Sequence, residues 1–258
     1  MFEAYPDINE LITVALLNKP KRYKVAKEIR NLNPNVSLDD LLKLVDIIAE
    51  DTDSVEFSEL GISLALLLEK MDDNKANEFL EKLLSKDYGG KLIGLILGYT
   101  NKKFDKDLVF EITRRLILSE DSETRLAGLN AIRTQYKYLG KDSVIDILAE
   151  VFSSDSKAVR KDIPIIILMM KDILDKKTTY EALKRAALEE EEGLLTIIEL
   201  IKEGILKLSI KELLEIAEII KMKGNPEIIK LFLDAINKAK IKKKDEILRK
   251  LGTLGSTR

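Results

Sequence analysis

The chain has 258 residues, of which 45% are hydrophobic and 34% are charged, and its formal net charge at pH 7 is −2. This balance predicts a folded, soluble protein and gives no global attraction to nucleic acid or to membranes. Cysteine and histidine are both absent, which excludes zinc fingers, Cys–His nucleophiles, Ser–His–Asp triads and disulfides. We therefore expect no cofactor and no metal, and the sequence does not predict an enzyme.

Nothing in the sequence predicts export or insertion into a membrane. The first seven residues, MFEAYPD, lack the basic and then apolar segments of a signal peptide. The longest apolar run, residues 163–170, is far shorter than the roughly 20 residues that cross a bilayer. We expect a cytoplasmic protein with no membrane partner. Abundant Lys, Glu and Ile without Cys, His or Trp is also typical of thermophiles.

Helices are predicted along most of the chain, because apolar residues recur at three- and four-residue steps and strand-like alternation is rare. An opening helix is expected over residues 7–18 and a closing helix over residues 243–251. Between these two helices, each repeat is expected to hold a pair of helices. Two starts, at Thr178 and Ser209, have a Glu three residues later, which is the spacing of a capping box. The first helices are expected to begin near Ser37, Asn74, Asp105, Asp142, Thr178, Ser209 and Lys243.

The second helix of each pair is expected to begin just after a turn that carries a capping side chain. Such turns are read at Asn18-Lys-Pro20, Asp53-Ser54, Asp121-Ser122, Asp155-Ser156 and Gly224-Asn-Pro226. The acidic run at residues 189–192 is expected to serve a helix N-terminus in the same way. Pro164 lies inside the helix that follows Asp155 and should bend it, either as an adjustment of curvature or as a hinge.

A fixed period of 34 residues organises these helices. Asp53, Asp87, Asp121 and Asp155 are each 34 residues apart, and Gly94 and Gly128 keep the same step. Periods of about 30–45 residues that contain helix pairs are the signature of solenoids. The predicted fold is therefore all-α, an α-α superhelix of about seven helix pairs. We expect one solenoid domain over residues 1–251, followed by a frayed tail over residues 252–258.

Two segments carry a family resemblance. Residues 155–160, DSKAVR, resemble the turn and second-helix start of HEAT repeats, and residues 120–132, EDSETRLAGLNAI, are similar to the same motif. The resemblance to HEAT and armadillo-like repeat proteins covers about residues 84–170. In that family the Asp and Arg usually link neighbouring repeats in a ladder, and direct contact with a ligand is the alternative. The resemblance thus implies a structural ladder, with Lys91 as a further candidate member, made of Asp121, Arg125, Asp155 and Arg160.

Charge is the one functional asymmetry of the sequence. Residues 39–81 carry a net charge of −10, whereas residues 205–258 carry +6. Two basic clusters could bind nucleic acid or an acidic partner. The first contains Lys21, Arg22, Lys24 and Lys27, and the second contains Lys238, Lys240, Lys242, Lys243 and Lys244.

These features predict a non-enzymatic scaffold or adaptor. Stacked second helices would present a concave surface to a partner protein or peptide, and the charge segregation suggests an electrostatically steered partner. A nucleic-acid-associated protein that uses the two basic clusters, independently of base sequence, is the alternative. Homo-oligomers formed through oppositely charged ends are also conceivable.

Overall fold

The computed structural model describes residues 5–223, 225–239 and 244–251. These residues form fifteen α-helices and two short 3₁₀ helices, Lys19–Lys21 and Ile29–Asn31, and they contain no strand. The prediction of an all-α protein is therefore confirmed. In the same residues, none of the helices combines the length and apolar character needed to cross a bilayer. The α-helices are α1 (Ile8–Leu17), α2 (Arg22–Glu28), α3 (Leu38–Ile48), α4 (Val55–Leu68), α5 (Asp73–Leu84), α6 (Gly89–Tyr99), α7 (Lys106–Ile117), α8 (Ser122–Leu139), α9 (Lys141–Phe152), α10 (Lys157–Met170), α11 (Lys176–Glu189), α12 (Glu191–Lys202), α13 (Ile210–Lys223), α14 (Pro226–Lys238) and α15 (Lys244–Leu251).

The helices group into two compact units, Met1–Gly140 and Lys141–Arg258. We call them unit 1, which holds α1 to α8, and unit 2, which holds α9 to α15. The single domain expected over residues 1–251 stays a prediction, and the expected tail over residues 252–258 lies outside the described residues.

Unit 1 is built from alternating first and second helices. The second helices pack in chain order, α2 on α4, α4 on α6 and α6 on α8, and among the first helices α1 packs on α3 and α3 on α5. Within the pairs, α5 packs on α6 and α7 on α8. Leu, Ile and Phe side chains fill the space between the two rows, and Leu64, Phe79 and Ile93 are fully buried there.

Unit 2 repeats the pairwise packing. Helix α11 packs on α9, α13 on α11 and α15 on α13, while α12 packs on α14 and on α11. The core is again aliphatic, with Phe152 and Phe232 as its largest fully buried side chains. The helix α10 continues through Pro164 as far as Met170.

Most predicted helix starts are confirmed, to within one or two residues. The opening helix begins at Ile8 with Asp7 as its cap, and Ser37, Asp105 and Asp121 each cap their helix as expected. The capping box at Ser209 is also confirmed. Its backbone N–H donates to Glu212 at 2.5 Å, and the Glu212 N–H donates back to the Ser209 hydroxyl at 3.3 Å.

The helix start predicted near Thr178 is confirmed to within two residues, but the capping box predicted there is wrong. The helix begins at Lys176, because the Asp175 carboxylate accepts both the backbone N–H and the hydroxyl of Thr178, at 2.6 and 2.7 Å. A carboxylate at the cap also interacts favourably with the positive helix end, so Asp175 is the stronger cap. Glu181 does not complete a box but pairs with Lys141 at 3.2 Å.

Small residues set the distance between successive second helices. A Cβ atom placed on Gly61 would lie 2.6 Å from the Leu95 Cβ, and one placed on Gly94 would lie 2.4 Å from the Ala127 Cβ. Both distances are far below van der Waals contact. Glycine at 61 and 94 therefore allows α4, α6 and α8 to approach more closely than larger residues would permit.

Gly94→Ala should destabilise the protein by about 1–3 kcal/mol, because the added methyl group meets both the side chain and the backbone of Ala127. Gly98→Ala is the matched control on the same helix, since no atom of the described residues lies within 4 Å of its Cβ position. The control should be neutral or stabilise by up to about 1 kcal/mol through helix propensity. Urea denaturation of both variants measures the difference. Equal effects would contradict close packing at Gly94.

Thr113 is a buried hydroxyl without a partner among the described residues. The residue is fully buried in α7 and its Oγ1 makes no hydrogen bond. Thr113→Val keeps the shape, removes the unsatisfied group and should raise the unfolding free energy by about 1 kcal/mol. Thr196→Val is the opposite case, because the buried Thr196 hydroxyl donates to the Phe152 carbonyl at 2.8 Å. Thr196→Val should therefore lower the stability of the protein. Thermal denaturation of both variants shows whether one melting temperature rises and the other falls.

Candidate functional site

Lys91 joins the starts of three successive second helices. It lies in the first turn of α6, and its ammonium group pairs with Glu123 on α8. The same ammonium group lies 3.9 Å from the Asp53 carboxylate and 3.5 Å from the Thr52 hydroxyl, and both of these residues come just before α4. The hydrogen bond with Glu123 raises the pKa of Lys91. Lys91 thus makes the inter-helix link that was expected of a further ladder member, although Glu123 lies outside the 34-residue pattern.

Asp121 and Arg125 hold the start of α8. The Asp121 carboxylate accepts the Thr124 hydroxyl at 2.6 Å and the Thr124 backbone N–H at 2.7 Å. These bonds, with the nearby charges of Lys91 and Arg125, lower the pKa of Asp121. Arg125 is 5% exposed, and it donates to the Ser119 carbonyl at 2.7 Å.

Asp155 and Arg160 lie at the corresponding start of α10 in unit 2. Asp155 is exposed, and Ser156 caps the helix in its place by accepting the Val159 N–H at 3.2 Å. Arg160 donates to Glu199 at 3.2 Å and thereby links α10 to α12. The sequence did not identify Glu199, because it falls at no repeated position.

Three further hydrogen bonds join residues that are one period apart. The Tyr138 hydroxyl donates to the Phe104 carbonyl in unit 1, and in unit 2 Lys223 donates to the Glu189 carbonyl at 3.3 Å. Asn225 donates to Glu191 at 2.7 Å. Each pair is 34 residues apart, so hydrogen bonds span one full period in both units.

A cavity of about 630 Å³ lies beside Lys91 in unit 1. Its charged lining comes from Asp87, Lys91, Arg115 and Asp121. Lys91 and Asp121 are already engaged in the bonds described above. Within the described residues, no three acidic side chains lie close enough together to hold a metal ion.

Among the described residues, the carboxyl groups with clearly shifted pKa values are all shifted downward. In each case a hydrogen bond from a partner side chain is the main cause, as with Lys184 on Glu215 and Arg115 on Glu111. A general acid at neutral pH needs the opposite shift. These groups are therefore held as carboxylates that support structure, and they are Glu50, Glu111, Asp121, Asp175 and Glu215.

The first predicted basic cluster is divided by the structure. Arg22 is 8% exposed, donates to the Ala15 carbonyl at 3.1 Å and pairs with Glu50 at 2.5 Å. It lies on the inward face of α2 with the buried Val25 and Ala26, so it is a structural residue and is not available to a partner. The remaining members are exposed, and they are Lys21, Lys24 and Lys27.

The second predicted basic cluster is described only in part. Lys238 is exposed at the end of α14, and α15 begins at Lys244. Lys240, Lys242 and Lys243 lie outside the described residues. Binding of nucleic acid or of an acidic partner by this cluster stays a prediction.

The second helices of unit 1 present an exposed stripe that the sequence did not separate from the packed residues. On α8 the stripe consists of Leu126, Asn130, Arg133 and Lys137, which recur at helical spacing and are all exposed, Leu126 by 46%. Tyr99 at the end of α6 is 56% exposed. We call these five residues the α8 stripe.

Charge differs between the two rows of helices in unit 1. The first helices carry nine acidic and six basic residues, whereas the second helices carry four acidic and seven basic residues. The acidic segment noted in the sequence therefore belongs mainly to the first helices and to the turns. The second helices, including the α8 stripe, are basic on balance.

Comparison with known proteins identifies no family. No protein-family model matches the chain, and no curated protein matches it. Among solved structures, it is similar to two crystal structures of engineered proteins. The first is 15% identical with a TM-score of 0.32, over 91% of this chain and 97% of the other. The second is 16% identical with a TM-score of 0.32, over 95% and 66%.

Replacing Asp121 by Asn should reduce stability at neutral pH and change its pH dependence. The folded pKa of Asp121 is lowered, so its carboxylate contributes stability that is complete above the unfolded pKa of about 4 and is lost as pH falls through the folded pKa. The difference in unfolding free energy between wild type and Asp121→Asn should therefore be positive at pH 7 and shrink below pH 4.

Urea denaturation at several pH values measures this difference. Asp155→Asn is the matched control, because Ser156 caps the helix at that repeat position, and it should leave the unfolding free energy nearly unchanged at pH 7. A pH-independent difference for Asp121→Asn would show that its carboxylate charge contributes nothing.

Proposed function

We propose that this chain is a non-enzymatic helical-repeat scaffold, or adaptor, that binds a partner protein or peptide on its second helices. The observation that carries the proposal is the α8 stripe, a row of exposed apolar and basic side chains on the second helices of unit 1. Recognition by an extended, shallow surface is the common use of helical repeats.

The proposal includes a solenoid of HEAT- or armadillo-like repeats. It is supported by the pairwise packing of second helices, by the link that Lys91 makes to both neighbouring helices, and by the three hydrogen bonds with a spacing of 34 residues. In such an array each repeat contacts mainly its neighbours, and the exposed faces of the second helices line up along one surface.

A binding role also agrees with how the charged groups are used. The side chains around Lys91 are engaged in caps and inter-helix pairs, and the shifted carboxyl groups there are stabilised as anions. In contrast, Arg133 and Lys137 on the α8 stripe make no ion pair with any described residue. Basic side chains that no structural partner uses are available to a ligand.

The experiment is site-specific photo-crosslinking in a lysate of the source cells. A photoreactive benzoylphenylalanine replaces Asn130 in the α8 stripe, or Lys43 on the first helix α3 as the control, since both positions are exposed. We expect discrete crosslinked proteins from position 130 and not from position 43, with or without nuclease treatment.

The two other outcomes are informative. Crosslinks that disappear after nuclease treatment would replace the proposal with the nucleic-acid-associated function. Absence of crosslinks at 130, or equal products at 130 and 43, would contradict binding through the α8 stripe.

A further inference from the structure

We propose that the partner of the α8 stripe is an acidic amphipathic segment, with an apolar anchor and carboxylates spaced along its length. This inference rests on the proposed function and specifies the chemistry of the partner. Three features support it: cations on the second helices that have no described partner, the position of Leu126 in line with those on α8, and the distances between them along that helix.

The cations of this surface are unpaired. Arg133 and Lys137 on α8 are exposed, and their side chains make no hydrogen bond or ion pair with any described residue. The side chains of Lys24 and Lys27 on α2 are exposed and likewise have no partner among the described residues. Other basic side chains of the second helices have structural partners, such as Arg22 with Glu50. The surface therefore retains positive charge that folding does not neutralise.

The acidic residues of the second helices do not offset this charge. Glu59 pairs with Arg30, and Glu123 pairs with Lys91. Glu28 accepts a hydrogen bond from Asn31 at 3.0 Å. Glu56 lies in the first turn of α4, where the helix end stabilises negative charge. An incoming carboxylate would thus meet cations without first displacing a local anion.

Leu126 gives the surface an apolar anchor point in line with the cations. Arg133 and Lys137 follow it by seven and eleven residues on the same helix face, which places them about 10 and 16 Å further along the axis. Tyr99 adds an exposed aromatic ring at the end of α6. A segment of two to three helical turns with a leucine near one end and carboxylates toward the other matches this arrangement.

Nucleic acid fits the α8 stripe less well than an acidic segment does. Phosphate binding gains from many cations along a backbone, whereas the stripe has two cations on α8 and places Leu126 in line with them. A leucine side chain contributes to an amphipathic peptide interface but gains nothing from a phosphate. The acidic first helices of a second copy are a further possible occupant, which the experiment distinguishes.

Fluorescence polarisation with three labelled 16-residue peptides tests the inference on the full chain. The first peptide has Leu at helical spacing with Glu at the intervening positions, the second has Gln in place of Glu, and the third has Ser in place of Leu. We expect the first peptide to bind at least tenfold more tightly than either other peptide, and to weaken as NaCl is raised from 50 to 300 mM.

Matched charge reversals locate the binding. R133E/K137E should weaken binding of the first peptide at least tenfold. K103E/K106E changes the net charge equally at two exposed positions, Lys103 in the loop before α7 and Lys106 at its first residue, and should leave binding unchanged. Circular dichroism of both variants confirms that each is folded. The inference is overturned if the Gln peptide binds as tightly as the Glu peptide, or if both charge reversals have equal effects.

The remaining outcomes also decide the question. If a labelled duplex binds and the Glu peptide cannot displace it, the occupant of the stripe is nucleic acid. If sedimentation shows a dimer that R133E/K137E abolishes and the Glu peptide does not disrupt, the occupant is a second copy of the chain. If no acidic peptide binds but the crosslink from position 130 persists, the scaffold function stands and only the partner chemistry is wrong. Loss of that crosslink as well removes both proposals.

Discussion

The close approach of successive second helices is the constraint on which unit 1 depends. Because Gly94 has no side chain, α8 comes near enough to α6 for its polar groups to reach the α6 backbone. The Gln135 amide and the Thr134 hydroxyl both donate to the Leu97 carbonyl, at 2.9 and 3.1 Å. Leu97 lies in the last turn of α6, where carbonyls lack partners within the helix. The absence of a side chain at Gly94 therefore allows both the tight packing of α8 on α6 and the hydrogen bonds to the Leu97 carbonyl at the end of α6.

The same spacing accounts for the charge distribution at the helix starts. When α4, α6 and α8 begin side by side, their positive ends lie close together, and acidic residues there stabilise the helix ends. Asp53, Asp121 and Glu123 supply that negative charge, and Lys91 lies among them and pairs with Glu123. Charges at this edge are largely used in holding the helices together. The unpaired cations lie elsewhere, along the exposed sides of α2 and α8.

The sequence predicted what depends on local chemistry and on repetition. The helices and the capping box at Ser209 follow from short-range patterns, and the period marked Gly94 without showing that it lies at a helix contact. The burial of Arg22 and the pairing of Arg160 with Glu199 could not be predicted in this way, because the partner in each case is distant in the chain and outside the period. The α8 stripe was missed for a related reason. When a helix packs against neighbours on two sides, the rotation of the helix about its own axis decides which positions are exposed, and the sequence does not give that rotation.

This rotation bears on the proposal that α8 contacts a partner. Asn130 and Arg133 lie 34 residues after Ile96 and Tyr99, yet Ile96 is fully buried and Asn130 is exposed. Gly94 and Asp121 recur at the 34-residue step because close packing and helix capping require them, whereas Asp155 recurs but is exposed and its helix is capped by Ser156. Positions that change are free to serve a ligand. We propose that Asn130 and the other exposed residues of α8 that break the period contact the partner.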